Sequence, residues 1–157
     1  MRHDQARRPT IGQFSFLFLM LAATPAAAQH ANPTLVADPK TGCKVWDLYY
    51  DPADSISWSG PCVDGLAEGN GVLRWSVGGK PFMRFEGGYH VGKETGHGVS
   101  AWVNGSRFDG EFRGGLPNGT GTYTVGKRVY TGNWINGCFR QGTRTAAAHT
   151  TLQDCGF

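Results

Sequence analysis

Residues 108–123 read Phe-Asp-Gly-Glu-Phe-Arg-Gly-Gly-Leu-Pro-Asn-Gly-Thr-Gly-Thr-Tyr, and two patterns overlap in them. Phe108, Gly110 and Phe112 alternate with polar residues, which places both rings and the glycine between them on one face of a strand. The glycines at 110, 115, 119 and 121 then define a spacing, Gly-x4-Gly-x3-Gly-x-Gly. That spacing recurs at Gly60, Gly65, Gly69 and Gly71, and again at Gly87, Gly92, Gly96 and Gly98. A fourth copy keeps Gly132 and Gly137 and then leaves register. An aromatic residue opens every copy (Trp58, Phe85, Phe108, Tyr130), and Tyr89, Phe112 and Trp134 fill the fifth slot in three of them.

Each copy therefore reads as a β-hairpin. An aromatic strand leads into a glycine-rich turn, which takes in His97-Gly98, and a second short strand follows, as in residues 99–103 or 122–125. Gly78-Gly79 and Asn104-Gly105 mark the turns into the next copy. The glycine between the two aromatics leaves room for a neighbouring ring to lie over the backbone. One hairpin cannot bury its own face, so successive copies must stack. The expectation is an all-β, elongated antiparallel β-meander over residues 58–142, with copies starting at 58, 85, 108 and 130.

Composition agrees. The chain has 24 glycines and 8 prolines in 157 residues, without the every-third-residue glycine of collagen. Five Trp, five Tyr and nine Phe supply enough surface to bury to argue against disorder. Residues 1–28 carry Arg2, Arg7 and Arg8, the apolar run Phe14–Ala23 and the small residues Ala26–Ala28, a signal-peptide pattern. Ten apolar residues are about half of what a bilayer span needs. Removing that leader lowers the formal charge from +3 to +1, which argues against nucleic acid as a partner.

Export changes how the four cysteines read. Cys43, Cys62, Cys138 and Cys155 allow three disulfide connectivities in an oxidising compartment. Local pairing, Cys43 with Cys62 and Cys138 with Cys155, closes two loops, each worth on the order of 3 kcal/mol. No Cys-x-x-Cys or Cys/His cluster points to a metal, and no motif points to a cofactor. His97-Gly98 with Gln153-Asp154-Cys155-Gly156 is a superficial match to a cysteine hydrolase, the weakest alternative, because Cys155 sits two residues from the chain end. The Gly-x-Gly pairs lack the third glycine and the helix of a phosphate loop. Asn104-Gly105-Ser106 and Asn118-Gly119-Thr120 fit a glycosylation sequon but read more simply as turns. No catalytic residue is assigned.

The copies resemble the MORN repeat, whose unit follows Tyr-x-Gly-x-Trp-x-x-Gly-x-x-x-Gly-x-Gly. Residues 108–123 match it best and residues 130–137 next. The resemblance implies a single-layer β-sheet that serves as a binding or scaffolding platform for membrane phospholipid or protein assembly, without catalytic residues. Cysteines stand where this array begins and ends, and terminal repeats need caps. Cys43–Cys62 is therefore read as stapling the 29–57 linker and capping segment onto copy one, and Cys138–Cys155 as pinning the 143–157 tail.

For a partner surface, Arg74, Arg84, Arg107, Arg113, Lys127 and Arg128 lie among Trp75, Trp102, Tyr123 and Tyr130. Arg84, Trp102, Arg107, Arg113 and Arg128 are the candidates for contact with anionic headgroups or glycan, although interleaved acidic residues weaken any field. The functional expectation is a periplasmic or secreted, non-enzymatic interaction module that meets an envelope protein. Peripheral binding of anionic phospholipid or envelope glycan is the alternative.

Overall fold

The computed structural model describes residues 33–157, and over them the chain is all-β and without helix. The leader expected at 1–28 lies outside the described residues. The capping segment supplies β1 (Thr34–Ala37), β2 (Lys44–Asp47) and all but the last residue of β3 (Asp54–Trp58), whose Trp58 opens copy one. Copy one continues as a short hairpin, β4 (Cys62–Val63) and β5 (Leu66–Ala67). The long strands follow: β6 (Gly69–Val77), β7 (Lys80–His90), β8 (Lys93–Trp102), β9 (Arg107–Arg113), β10 (Leu116–Val125) and β11 (Arg128–Trp134). A last hairpin, β12 (Cys138–Gln141) and β13 (Arg144–Ala147), precedes the tail.

The long strands and β3 form one sheet in the order β11-β10-β9-β8-β7-β6-β3, every neighbour antiparallel. A smaller sheet, β1-β2-β5-β4, joins the cap to copy one and includes a parallel contact between β2 and β5. Both disulfides pair locally, Cys43 with Cys62 and Cys138 with Cys155, at Cα separations of 5.8 and 5.6 Å.

The glycine frame has a direct structural meaning. Gly71, Gly87, Gly98, Gly110, Gly121 and Gly132 are successive cross-strand partners, so a row of residues without side chains crosses six strands. The opening rings of the first three copies lie on that row, and Phe139 meets Gly132 at its end. A Cβ at Gly98 would collide with Phe85, one at Gly121 with Phe108, and one at Gly71 with Trp58. Opening rings also meet the fifth-slot ring of the next copy: Trp58 with Tyr89 at 4.7 Å, Phe85 with Phe112 at 5.1 Å, and Phe108 with Trp134 at 5.2 Å. Each tilted or edge-to-face pair adds about 0.5–1.5 kcal/mol beyond the area it buries.

A second contact repeats at the turns. The glycine in the eighth slot donates its N–H to the tenth-slot carbonyl of the preceding copy, Gly92 to Ala67, Gly115 to Glu94 and Gly137 to Pro117. These glycines have φ of +72°, +92° and +80°, a region that a side chain would strain.

One expectation needs correction. In copies two and three the Gly-x-Gly pairs, with His97-Gly98 among them, lie inside the second strand of the hairpin and not in its turn, and in copy one Gly69 and Gly71 open β6. The turn closes at the eighth-slot glycine, so β8 and β10 run for ten residues each. The register of the flanking pairs shifts near Gly96 and Gly119, where β8 and β10 each carry two residues more than the strand they pair with, and the positive φ of these glycines accommodates the bulge.

Candidate functional site

The residues expected to form a partner surface are divided between the two faces of the sheet. Trp102 stands in register with Met83, on the face that buries the rings. Arg84 and Arg107 alternate with the buried Phe85 and Phe108 and so face the other way. On that side Arg74 pairs with Arg84, and Arg84 and Arg107 both oppose Ala101. Arg84 is ion-paired with Glu86 at 2.6 Å and Arg107 with Asp109 at 2.8 Å, while Asp109 also meets His97 at 2.9 Å. Arg113 and Arg128 are exposed at strand ends. The arginines are thus not gathered around Trp102, and two of them are already neutralised within their own strands.

Cys155 is half of a disulfide, so its sulfur carries no thiolate to act as a nucleophile. Asn104 accepts the N–H of Ser106 through its side chain, the turn chemistry expected of that segment.

On the ring-bearing face a cleft of about 620 Å³ opens above the first three copies. Its floor is sheet: Trp75, Met83, Trp102 and Tyr123. Its two walls come from outside the repeats, residues 46–54 of the cap on one side and residues 147–151 of the tail on the other. The walls meet where the Tyr49 hydroxyl lies 2.9 Å from Thr150 Oγ1 and donates to Asp154 Oδ2 at 3.0 Å. Beside the cleft Val77, Phe82 and Val103 are exposed apolar residues.

Three polar side chains give the cleft its character. Glu94 occupies the tenth slot of copy two, where copies one and three place the buried Ala67 and Pro117. It is itself buried, accepts a hydrogen bond from the Tyr89 hydroxyl at 3.0 Å, and is pushed up to about 7, chiefly by burial. The donated hydrogen bond works against that rise, and the negative charge of Asp47 adds to it. Asp47, at the end of β2, is also buried and is raised to about 6, first by burial and then by the Asp54 and Asp51 carboxylates. Its Oδ1 accepts the Tyr49 N–H at 2.8 Å, but its buried Oδ2 has no hydrogen-bond partner.

His149 completes the wall. Ser100 takes the sixteenth slot of copy two, where Leu73 and Tyr123 stand in copies one and three. The smaller side chain leaves room for the His149 ring, which packs on Trp102 at 5.1 Å and Phe112 at 5.2 Å. Ser100 Oγ and His149 Nε2 are hydrogen-bonded at 2.6 Å. Burial holds the imidazole down to about 4, so it is neutral at pH 7. Ser100 is fully buried under this ring, which makes the pair a packing contact and not an accessible nucleophile.

Sequence reasoning missed these three and Ser100. For Glu94 and Ser100 the signal was present in the aligned copies, since each is polar where its counterparts are apolar. Asp47 and His149 lie outside the repeat and carry no such signal.

Three consecutive segments, residues 63–80, 85–107 and 108–124, match the family model of the MORN repeat. The second and third begin at the copy starts read from the glycine spacing. The copy starting at 130 falls outside the matched segments, in keeping with its loss of register. No curated protein matches the chain.

Proposed function

The chain belongs to the MORN-repeat family, and from that premise we propose that it is an exported, non-enzymatic binding module that meets a protein of the cell envelope. MORN repeats are generally protein- or lipid-binding units. The observation that carries the reading is the cleft. Two non-repeat walls converge over the ring-bearing face at the copy whose tenth and sixteenth slots depart from the frame. A cleft of this volume, apolar with a few polar groups, has the form of a recognition site. Export is supported by the leader pattern at 1–28 and by two disulfides, which persist in oxidising compartments.

The test is retention. The purified, oxidised chain is immobilised and exposed to a detergent extract of envelope proteins, beside a Phe82→Glu/Val103→Glu variant that charges the cleft's rim. A protein retained by the wild type and lost by the variant supports the reading. Retention of nothing, or equal retention by both, counts against it. The lipid alternative predicts salt-sensitive co-sedimentation with anionic vesicles. The pairing of Arg84 and Arg107 with carboxylates speaks for the protein partner.

A further inference from the structure

The cleft combines features that together select a ligand chemistry. Asp47 is buried to 8% exposure, and its Oδ2 faces no donor. An unsatisfied buried carboxylate oxygen costs several kcal/mol unless a donor or a cation reaches it. Asp54 and Asp51 stand near enough to raise its pKa by their charge. Asp54 also raises it through a side-chain hydrogen bond, so below about 6 a proton held between the two carboxyls serves as donor, whereas above it both are acceptors that repel and attract a cation. Glu94 adds a fourth carboxyl, and of the lining residues Lys93 carries the one permanent positive charge. That ammonium lies 5.3 Å from the centre of the Trp46 ring.

Around these carboxyls stand Trp46, Trp75, Trp102 and Tyr123. Aromatic faces attract organic cations, and they also cover the alkyl stem of a long basic side chain. A bare metal ion fits less well, because among the described residues no three His, Cys, Asp or Glu side chains converge to hold one. The exposed Val77, Phe82 and Val103 beside the cleft distinguish the source of the cation. A free amine would leave them in water, whereas a protein surface would cover them.

We propose that the cleft receives the ammonium or guanidinium of a lysine or arginine side chain from a protein partner, with Asp47 as its principal counter-charge and the tryptophan faces of floor and wall packed along its alkyl stem. This inference rests on the binding-module reading above and names what that partner presents.

Titration follows with a definite sign. A cation favours ionised Asp47 and Glu94, so binding releases protons and strengthens as pH rises through about 6 to 7. Asp51, Asp54 and Lys93 also line the cleft beside these groups, the Tyr89 phenol donates to Glu94, and Tyr49 meets Asp47 through its backbone N–H. Neutral His149 contributes no opposing charge above its value of about 4.

The experiment titrates the oxidised chain with acetyl-Ala-Lys-Ala-amide and follows its tryptophan fluorescence. The norleucine analogue, which lacks the ammonium, and free butylamine serve as comparison arms. The lysine peptide should bind at least tenfold more tightly than the norleucine peptide at pH 7.5 and weaken by a similar factor at pH 5. Asp47→Asn should lose at least tenfold. Glu94→Gln, which keeps the Tyr89 contact, should lose less, and near-UV circular dichroism shows whether each variant keeps the native fold. Equal binding of lysine and norleucine peptides, absence of a saturable lysine-dependent signal, or wild-type affinity in both variants overturns the proposal. Butylamine binding as tightly as the peptide overturns the assignment to a protein side chain. An envelope protein retained equally by wild type and Asp47→Asn overturns the inference while the module reading stands; retention of nothing removes that reading too.

Discussion

Copies two and three share one backbone frame and differ where it matters. In copy three the tenth and sixteenth slots hold Pro117 and Tyr123; in copy two they hold Glu94 and Ser100. The eighth-slot glycines, the glycine row and the opening rings are unchanged between them. Two polar replacements in a conserved frame thus make an apolar sheet face into one that admits a carboxyl and a histidine from the tail. The frame supplies rigidity, and its exceptions supply chemistry.

The strongest way to break the comparison is to attack what the copies share. Gly110→Val would drive a side chain into the Gly121 backbone of the paired strand, and Gly98→Val into Phe85. Both should prevent native folding, read as loss of cooperative unfolding, because overpacking a tight site costs about 1–3 kcal/mol even for one added methylene. Retention of a native melting profile in either would contradict the ring-on-glycine account.

Next come the exceptions. Glu94 is raised to about 7, above its ordinary value of 4.5. The sign is that of a group whose protonated form favours the fold: its contribution is intact below pH 4.5 and is lost as pH rises through 7. Glu94→Gln removes this loss, so the variant should outlast the wild type in urea at pH 8 by on the order of 3 kcal/mol and gain little at pH 4.5. A pH-independent difference would rule out the buried carboxyl as its source. His149 behaves oppositely. Its value is lowered to about 4, so the stability of the neutral ring is present above pH 6.5 and is lost as pH falls through 4. Ser100→Leu restores copy one's residue and fills the space the ring needs. It should detach the tail, visible as faster amide exchange at residues 147–151, and remove this acid-side slope. Unchanged exchange there would mean that Ser100 does not seat the histidine.

The smallest effect lies on the opposite face. Arg107→Ala removes an exposed partner of Asp109 and should change stability by less than about 1 kcal/mol. A larger loss in thermal unfolding would show that this face does more than stay solvated.

Much of the fold was legible because glycine spacing and aromatic alternation are local signals. Phe108, Gly110 and Phe112 announce one face of a strand, and the repeat multiplies that evidence. The disulfide pairing was legible too, since Cys62 and Cys138 interrupt the frame at its two ends. The positions of the Gly-x-Gly pairs were misread, because a glycine with positive φ serves a turn and a bulge equally well, and only pairing across strands separates them. The candidate site was hidden for a different reason. Asp47 and His149 are brought to copies two and three by segments whose path over the sheet is set by tertiary contacts, of which no residue spacing keeps a trace. Trp102 was selected for its chemistry, and its grouping with Arg84 failed because the pleat sends them to opposite sides.

The Tyr49 hydroxyl, held between Thr150 and Asp154, ties together segments 101 and 105 residues apart in the chain. Repeat arrays ordinarily tolerate gain or loss of a unit, because each unit touches only its neighbours. Each additional hairpin would widen this sheet by two strands, about 10 Å, several times the reach of a hydrogen bond. A chain with one copy inserted between Val125 and Arg128 should therefore exchange its tail amides faster than the wild type, and identical exchange would refute the point. The clasp acts as a gauge of repeat number: it closes at one array length, and a duplicated copy would leave it open.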